Sequence, residues 1–429
     1  MTRLDPAEDG SFTATLRAAR ELDGTDRLAP FRRQFHLPAG RAGRRIYLCG
    51  HSLGLQPRAT APLLAEVLDD WRQLAVDAHF DATRPWLDYH RQVTDELATL
   101  AGAEATEVVA MNSLTVNLHL MMASFYRPET RRHAILLEAG AFPSDRYAVD
   151  SQIAWHGHDP ATSRIEVAPR EGEWQLRTDD IIARIEAERE RLALVLLPGV
   201  QYLTGQALDI APIAAVCRRH GIPIGLDLAH AIGNLPLGLH DWDVDFAVWC
   251  SYKYLNAGPG AVGGCFVHAR HARTGLPRLA GWWGHDPRSR FDMPEGFRAM
   301  PGAEGWQLSN PPILSLAPLL ASLTLFRQAG IRQLHAKSRR LTGFLEALLR
   351  TWLAKEVEII TPPERGCQLS LRLRGGRARA RRSFEALAEH DVVADWREPD
   401  TLRLAPVPLY TRFQDVYRAA EALRRILRP

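Results

Sequence analysis

The sequence predicts an α/β protein in which a largely parallel sheet, covered by helices on both faces, is followed by a smaller α+β unit. Two patterns carry that expectation. Runs that are apolar along their whole length recur at residues 133–138, 192–197, 222–227, 246–250 and 262–267, and helical patterns at 114–125, 179–191 and 210–220 separate several of them. Strands without polar alternation are buried on both faces, the habit of parallel sheets wound with helices. The second pattern is a change of texture after Pro311-Pro312, where amphipathic helices take over from the alternation.

Taken in order, residues 1–60 form an entry segment rich in Pro, Gly and Arg, expected to pack with the smaller unit. Residues 61–312 form the large unit. It opens with helical spacing over 62–78, where Leu63, Leu64, Val67, Leu68, Trp71, Leu74 and Ala75 recur. A second helical stretch, 86–100, precedes the turn at Gly102. Residues 313–429 form the smaller unit. Its helices fall at 313–328 and 334–353, its strands at 357–360, 368–373 and 401–404, and a further helix near 382–390. A final helix carries Phe413, Val416, Tyr417, Ala420, Leu423 and Leu427 on one face. The basic run 372–382 reads as a solvated turn and helix start in preference to a nucleic-acid patch.

Composition narrows the function. Fifty-three basic against fifty acidic residues leave a net charge of +3, too small for nucleic acid or an anionic membrane to be the main partner. The longest apolar runs, such as 192–197, fall far short of a membrane span. The amino terminus, with Asp5, Glu8 and Asp9, does not read as a secretory signal. Cys49, Cys217, Cys250, Cys265 and Cys367 are scattered, odd in number and without a Cys-x-x-Cys pair. That suits a reducing cytoplasm, and neither a disulfide framework nor a metal cluster is expected.

Of the fifty-three basic residues only Lys253, Lys337 and Lys355 are lysines. A lysine kept where arginine would serve as a charge is a candidate for chemistry that guanidinium cannot do. Lys337 and Lys355 fall on or beside amphipathic, Arg-bearing helices, where a solvated-face role suffices. Lys253 lies in Trp249-Cys-Ser-Tyr-Lys-Tyr-Leu-Asn-Ala-Gly-Pro-Gly260, just past a strand end and before a small-residue loop. Ligands bind beyond the carboxyl ends of such strands, and the aromatic, apolar neighbours suit an amine that condenses with a carbonyl.

Gly225-Leu-Asp-Leu-Ala-His230 ends another strand, with Asp227 26 residues before Lys253. Pyridoxal phosphate needs a carboxylate to keep its pyridine nitrogen protonated, the role assigned to Asp227, with His230 in reach of the phosphate or phenolic oxygen. A capping Asp is as common, so the pair gains its weight from the lysine. Asn112 or Ser113 is a good N-cap, and the N–H groups that follow, with the Ser113 and Thr115 hydroxyls, make an anion site; a plain helix cap reads equally well. Ala141-Phe-Pro-Ser-Asp145 follows the strand ending at Glu138. There Phe142 could stack on a flat heteroaromatic ring, or simply pack in the core, and Asp145 could support the pyridinium side. Arg403 could meet a substrate carboxylate bidentately.

Long motifs together resemble the kynureninases, pyridoxal phosphate enzymes of the aspartate-aminotransferase fold (fold type I). They are Gly50-His-Ser-Leu-Gly-Leu55, Asn112-Ser-Leu-Thr-Val-Asn117, Phe142-Pro-Ser-Asp145, Gly199-Val-Gln-Tyr-Leu-Thr-Gly205, Asp227-Leu-Ala-His230, Cys250-Ser-Tyr-Lys-Tyr-Leu-Asn-Ala-Gly258, Gly281-Trp-Trp-Gly-His285, Ser309-Asn-Pro-Pro312 and Ala405-Pro-Val-Pro-Leu-Tyr410. The resemblance runs from about residue 46 to the carboxyl end. It implies hydrolysis of L-kynurenine or 3-hydroxy-L-kynurenine to an anthranilate and L-alanine, in tryptophan catabolism, by a homodimer with shared active sites. By the same resemblance Lys253 carries the cofactor, Asp227 pairs with its ring nitrogen and Phe142 stacks on the ring. Pro143, Ser144 and Asp145 lie beside it, and Leu114, Thr115, His230 and Tyr252 surround the phosphate. Trp282 and Asn310 reach the cofactor from the partner subunit. Arg403 holds the substrate carboxylate, Ser52 is a further substrate-binding residue, and His79 and Asn310 line the aryl pocket; Tyr252 is the candidate for proton delivery near the ketone. Two positions depart from the family pattern: Pro198 stands where some members carry Ser or Thr, and His51 where Asn is frequent. A cysteine desulfurase or class V aminotransferase is the enzymatic alternative on the same fold, and a cofactor-holding or nucleic-acid-binding regulator the non-enzymatic one.

Overall fold

The computed structural model describes residues 15–41, 43–272 and 275–428. Its centre is a seven-stranded sheet of β1 (Val108–Ala110), β2 (Ala134–Glu138), β3 (Arg164–Val167), β4 (Leu192–Pro198), β5 (Ile224–Asp227), β6 (Phe246–Cys250) and β7 (Gly263–Val267), in the order β1-β7-β6-β5-β4-β2-β3. β7 runs antiparallel to both β1 and β6, and every other pairing is parallel. The expected apolar runs are therefore strands of one sheet, with edge strands β1 and β3 added.

Both faces are covered, as unbroken apolar strands demand. Leu136, Val195, Leu197, Leu226 and Trp249 point into one core, and their neighbours Ile135, Leu137, Leu194, Leu196 and Val248 into another, the two-residue period of a strand. Small residues make room for large ones across the ladder. A Cβ on Gly225 would stand 2.0 Å from the Phe246 ring, and one on Gly264 2.1 Å from the Trp249 indole. The helix Leu114–Phe125 is apolar nearly all round because Leu118, Leu120, Met121 and Met122 are all buried.

A second, four-stranded antiparallel sheet consists of β8 (Val357–Ile359), β9 (Leu369–Leu373), β10 (Asp395–Arg397) and β11 (Thr401–Leu404), in the order β8-β9-β11-β10. Its core joins Leu369, Leu371, Leu402 and Leu404 to Phe344 and Leu348 of the helix Ile331–Leu353 and to Val416 and Leu423 of the helix Phe413–Leu427. The first described helix, Leu16–Gly24, buries Ala19 and Leu22 in that core. The Asp23 carboxylate accepts the Phe413 N–H at 2.7 Å and the Gln414 N–H at 3.2 Å, capping the last helix. Leu316, Leu319, Leu323 and Phe326 of the helix Ile313–Ala329 belong to the large-sheet core, which thus extends past Pro312.

Lys337 corrects the reading of a solvated face. Its side chain is buried, its Nζ lies 2.7 Å from Asp26 Oδ2, and it donates to the Pro408 carbonyl at 2.6 Å. The helical periodicity is right, but the amino-terminal segment covers the face that carries Lys337.

Candidate active site

The carboxyl ends of β2, β4, β5 and β6 converge on one pocket. Glu138, Pro198 and Asp227 end their strands, and Lys253 follows β6 by three residues. Leu114 and Thr115, opening the helix after β1, and Phe142, Ser144 and Asp145, opening the helix Pro143–Trp155 after β2, complete the wall with Val200, Tyr202, Ala229, His230 and Tyr252. Nearly every residue expected at the cofactor from this chain lines it. Pro143 does not: it occupies the first helical turn with its side chain exposed, where its fixed φ serves the helix start.

Lys253 Nζ lies 5.8 Å from the centroids of both the Phe142 and Tyr252 rings. Tyr202 meets Phe142 edge to face at 5.2 Å. Thr115 and Ser144 share a hydrogen bond of 2.8 Å beside the free N–H groups of the Leu114–Phe125 helix. His230 is buried, and Nδ1 has no partner among the described residues; burial and the positive charges of Lys253 and Arg403 hold its imidazole well below the usual range, so it is neutral.

The same pocket holds three buried carboxyl groups. Asp227 accepts the Ala229 N–H at 2.6 Å. Asp145 is raised well above the ordinary carboxylate range by burial and by the charge and hydrogen bond of Asp227. Glu138 is pushed up to about 8 by burial, against the lowering hydrogen bond from Gln201. Among the described residues, Asp145 Oδ1 and Glu138 Oε2 have no partner. Two of these buried acids leave an oxygen in want of a donor, and the protonated ring nitrogen of pyridoxal phosphate is one. An amine for its aldehyde, an aromatic face for its ring, and a helix amino terminus with two hydroxyls for its phosphate fit the rest of the group.

Arg403 is buried and held by three groups of this chain. Its Nε donates to Asp395 Oδ2 at 2.6 Å, Nη2 lies 2.5 Å from the same oxygen, Nη1 donates to the Tyr202 carbonyl at 2.6 Å, and Nη2 reaches Ser52 Oγ at 3.4 Å. His51, 3.8 Å from Asp395 Oδ2, is fully buried, and among the described residues neither ring nitrogen has a hydrogen-bond partner. His51 is pushed down to about 3, first by burial and then by Arg403.

Arg403 and Ser52 do not line this pocket but adjoin it through Tyr202, and three further expected residues lie away from it within the chain. Trp282 is partly exposed in a separate surface groove with Arg290 and Phe297. Asn310 is exposed, and His79 packs edge-on against Trp86 at 5.5 Å while its Nδ1 meets the Val76 carbonyl. Conversely, Glu138, Gln201, Tyr202 and Asp395 escaped the reading of individual residues. Glu138 had a signal: it ends an apolar strand on the same side of the sheet as Asp227.

The kynureninase of Xanthomonas campestris pv. campestris (strain B100) is 57% identical over 406 residues, 94% of this chain and 96% of its own. The chain belongs to the kynureninase family. A kynureninase of Xanthomonas axonopodis pv. citri (strain 306) is 58% identical over the same shares of both chains. The family model described as the kynureninase C-terminal domain matches residues 334–423, and that of the DegT/DnrJ/EryC1/StrS aminotransferase family residues 86–238. Solved structures show how widely this kynureninase fold is shared. A C-DES mutant with glycine covalently linked to its PLP cofactor superposes with a TM-score of 0.75 at 18% identity, covering 88% of this chain and 96% of its own. The cysteine desulfurase CsdA from Escherichia coli does so with a TM-score of 0.74 at 20% identity, covering 93% and 98%.

Proposed function

We propose that the protein hydrolyses the β,γ carbon–carbon bond of L-kynurenine, or of its 3-hydroxy form, to L-alanine and anthranilate or 3-hydroxyanthranilate, with pyridoxal phosphate as cofactor. The observation that carries this reading is the Lys253 amine, 5.8 Å from the centroids of two aromatic rings and sharing one pocket with three buried carboxyl groups. When bound, the cofactor supplies an electron sink for carbanions at the substrate's Cα and Cβ.

The chain's own groups do the rest. Lys253 carries the cofactor and, when free, takes the proton from the substrate Cα. Asp227 and Asp145 hold the ring nitrogen's proton, and Phe142 covers the ring. Thr115, Ser144, His230 and the amino terminus of the Leu114–Phe125 helix take the phosphate. Burial, with the neighbouring Cys250, pushes the Tyr252 phenol up, so it keeps its proton at neutral pH and can donate it near the ketone. Arg403, with Ser52, takes the α-carboxylate.

Trp282 and Asn310 complete the cofactor site from the partner subunit of a homodimer, and His79 and Asn310 form the aryl pocket. Exposed Leu68, Trp71, Val76 and Phe80 support an interface near His79. The polar wall of His79, Ser309 and Asn310 supports acceptance of a ring hydroxyl, and five free cysteines support a cytoplasmic location. The cysteines also disfavour a desulfurase, which needs an accessible, reactive thiol. Cys217, Cys250, Cys265 and Cys367 are buried, and burial pushes half-buried Cys49 up to about 11. Purified protein mixed with pyridoxal phosphate and kynurenine is expected to develop anthranilate fluorescence; sulfide release from cysteine without anthranilate would replace this reading.

A further inference from the structure

Arg403 and Asp395 face each other directly across the β10–β11 ladder, the arrangement in which opposite charges support one another. The contact is closer than a surface pair. Asp395 Oδ2 receives both Nε and Nη2 of Arg403, with the Arg403 side chain buried, and also lies 3.1 Å from Arg397 Nε. A guanidinium has five N–H groups in a fixed fork. Asp395 takes the Nε–Nη2 edge, and the Tyr202 carbonyl takes one hydrogen of Nη1. What remains is the Nη1–Nη2 end, met among the described residues only by Ser52 Oγ at a long 3.4 Å. Ser52 has a second partner, donating to Asp395 Oδ1 at 3.2 Å, so it can release Arg403 and stay bonded. His51, neutral and buried 3.8 Å from Asp395 Oδ2, adds no charge. Two guanidiniums and one carboxylate leave this group a net charge of +1, matched to a single carboxylate.

We infer that Asp395 is a positioning residue for substrate recognition: it clamps one edge of Arg403 so that the other end, guarded by Ser52, accepts one substrate carboxylate. This rests on the reading of Arg403 given above and adds the device that orients it.

The test uses the holoenzyme and steady-state kinetics with kynurenine. Asp395→Asn keeps the shape and removes the charge that holds the fork. KM is expected to rise about tenfold to a hundredfold, as for loss of a buried, charge-assisted hydrogen bond, with kcat within about threefold. In an Arg403→Ala background the same substitution is expected to have no further effect, a coupling that a merely structural role would not show. A wild-type KM in Asp395→Asn, a loss confined to kcat, or independent losses in the double variant would each overturn the inference. If Asp395→Asn does not fold, Asp395→Glu, which pushes the fork by one methylene, should raise KM in the same way, and an unchanged KM would overturn it. An Arg403→Ala enzyme with wild-type kcat/KM would instead remove the carboxylate role of Arg403, and the clamp with it.

Discussion

Replacing Glu138 by glutamine should stabilise the cofactor-free protein, and by an amount that depends on pH. Burial moves the Glu138 carboxyl from an ordinary 4.5 to about 8. Between those values the unfolded chain ionises the group and the folded chain does not, so the folded state binds more protons and stability falls as pH rises. Each pH unit in that window removes about 1.4 kcal/mol, which amounts to about 3 kcal/mol at pH 7. Above pH 8 the folded group ionises too and the penalty levels off. Glutamine carries no such penalty, and its carbonyl can still accept the bond from Gln201 Nε2 that Glu138 Oε1 accepts at 3.3 Å. Urea unfolding of both proteins at pH 5 and pH 7.5 measures the effect. The variant should match the wild type within about 1 kcal/mol at pH 5 and exceed it by about 3 kcal/mol or more at pH 7.5. A difference that is the same at both pH values would mean that Glu138 is ionised in the folded state, and would refute the neutral-acid account of the pocket.

Three further outcomes are expected. Lys253→Ala should lose the visible absorbance of bound cofactor and at least about a thousandfold in turnover, read by spectrum and by anthranilate release. Tyr252→Phe should lower kcat about a hundredfold with KM within about threefold, since the ring that lines the pocket stays and only the proton goes; equal loss in both constants would point to misplacement of the ring. Lys337→Ala leaves the Asp26 carboxylate, itself only 7% exposed, without its cation. It should cost about 3–5 kcal/mol in urea unfolding, and a cost under about 1 kcal/mol would show that the pair contributes little.

The sheet was legible because its strands are apolar on both faces, so burial itself writes the pattern. β6 and the helix Leu114–Phe125 fall where the periodicity puts them. What escaped lacks that pattern. β1 has only three residues, β3 alternates buried and exposed positions, and β10 is half-buried throughout. The helix Pro143–Trp155 buries little beyond Asp145, Ala148, Val149 and Ile153, too few to trace a stripe. The pocket followed from strand ends, which linked Asp227 to Lys253. Asp395 could not be found that way: its meaning comes from standing opposite Arg403 across a hairpin, a relation visible only once the register is known. Lys337 misled because periodicity identifies a helix face but not what lies on top of it.

The Asp23 cap ties residues near the start of the described chain to a helix that begins 390 positions later. During synthesis Ala19 and Leu22 therefore leave the ribosome long before the surface that shelters them exists, and they must wait, in water or with a chaperone, until almost everything else has been made. The sheet that carries Arg403, the proposed partner of the substrate carboxylate, is finished by the same late event, so an incomplete chain with a well-formed pocket around Lys253 would still lack that arginine.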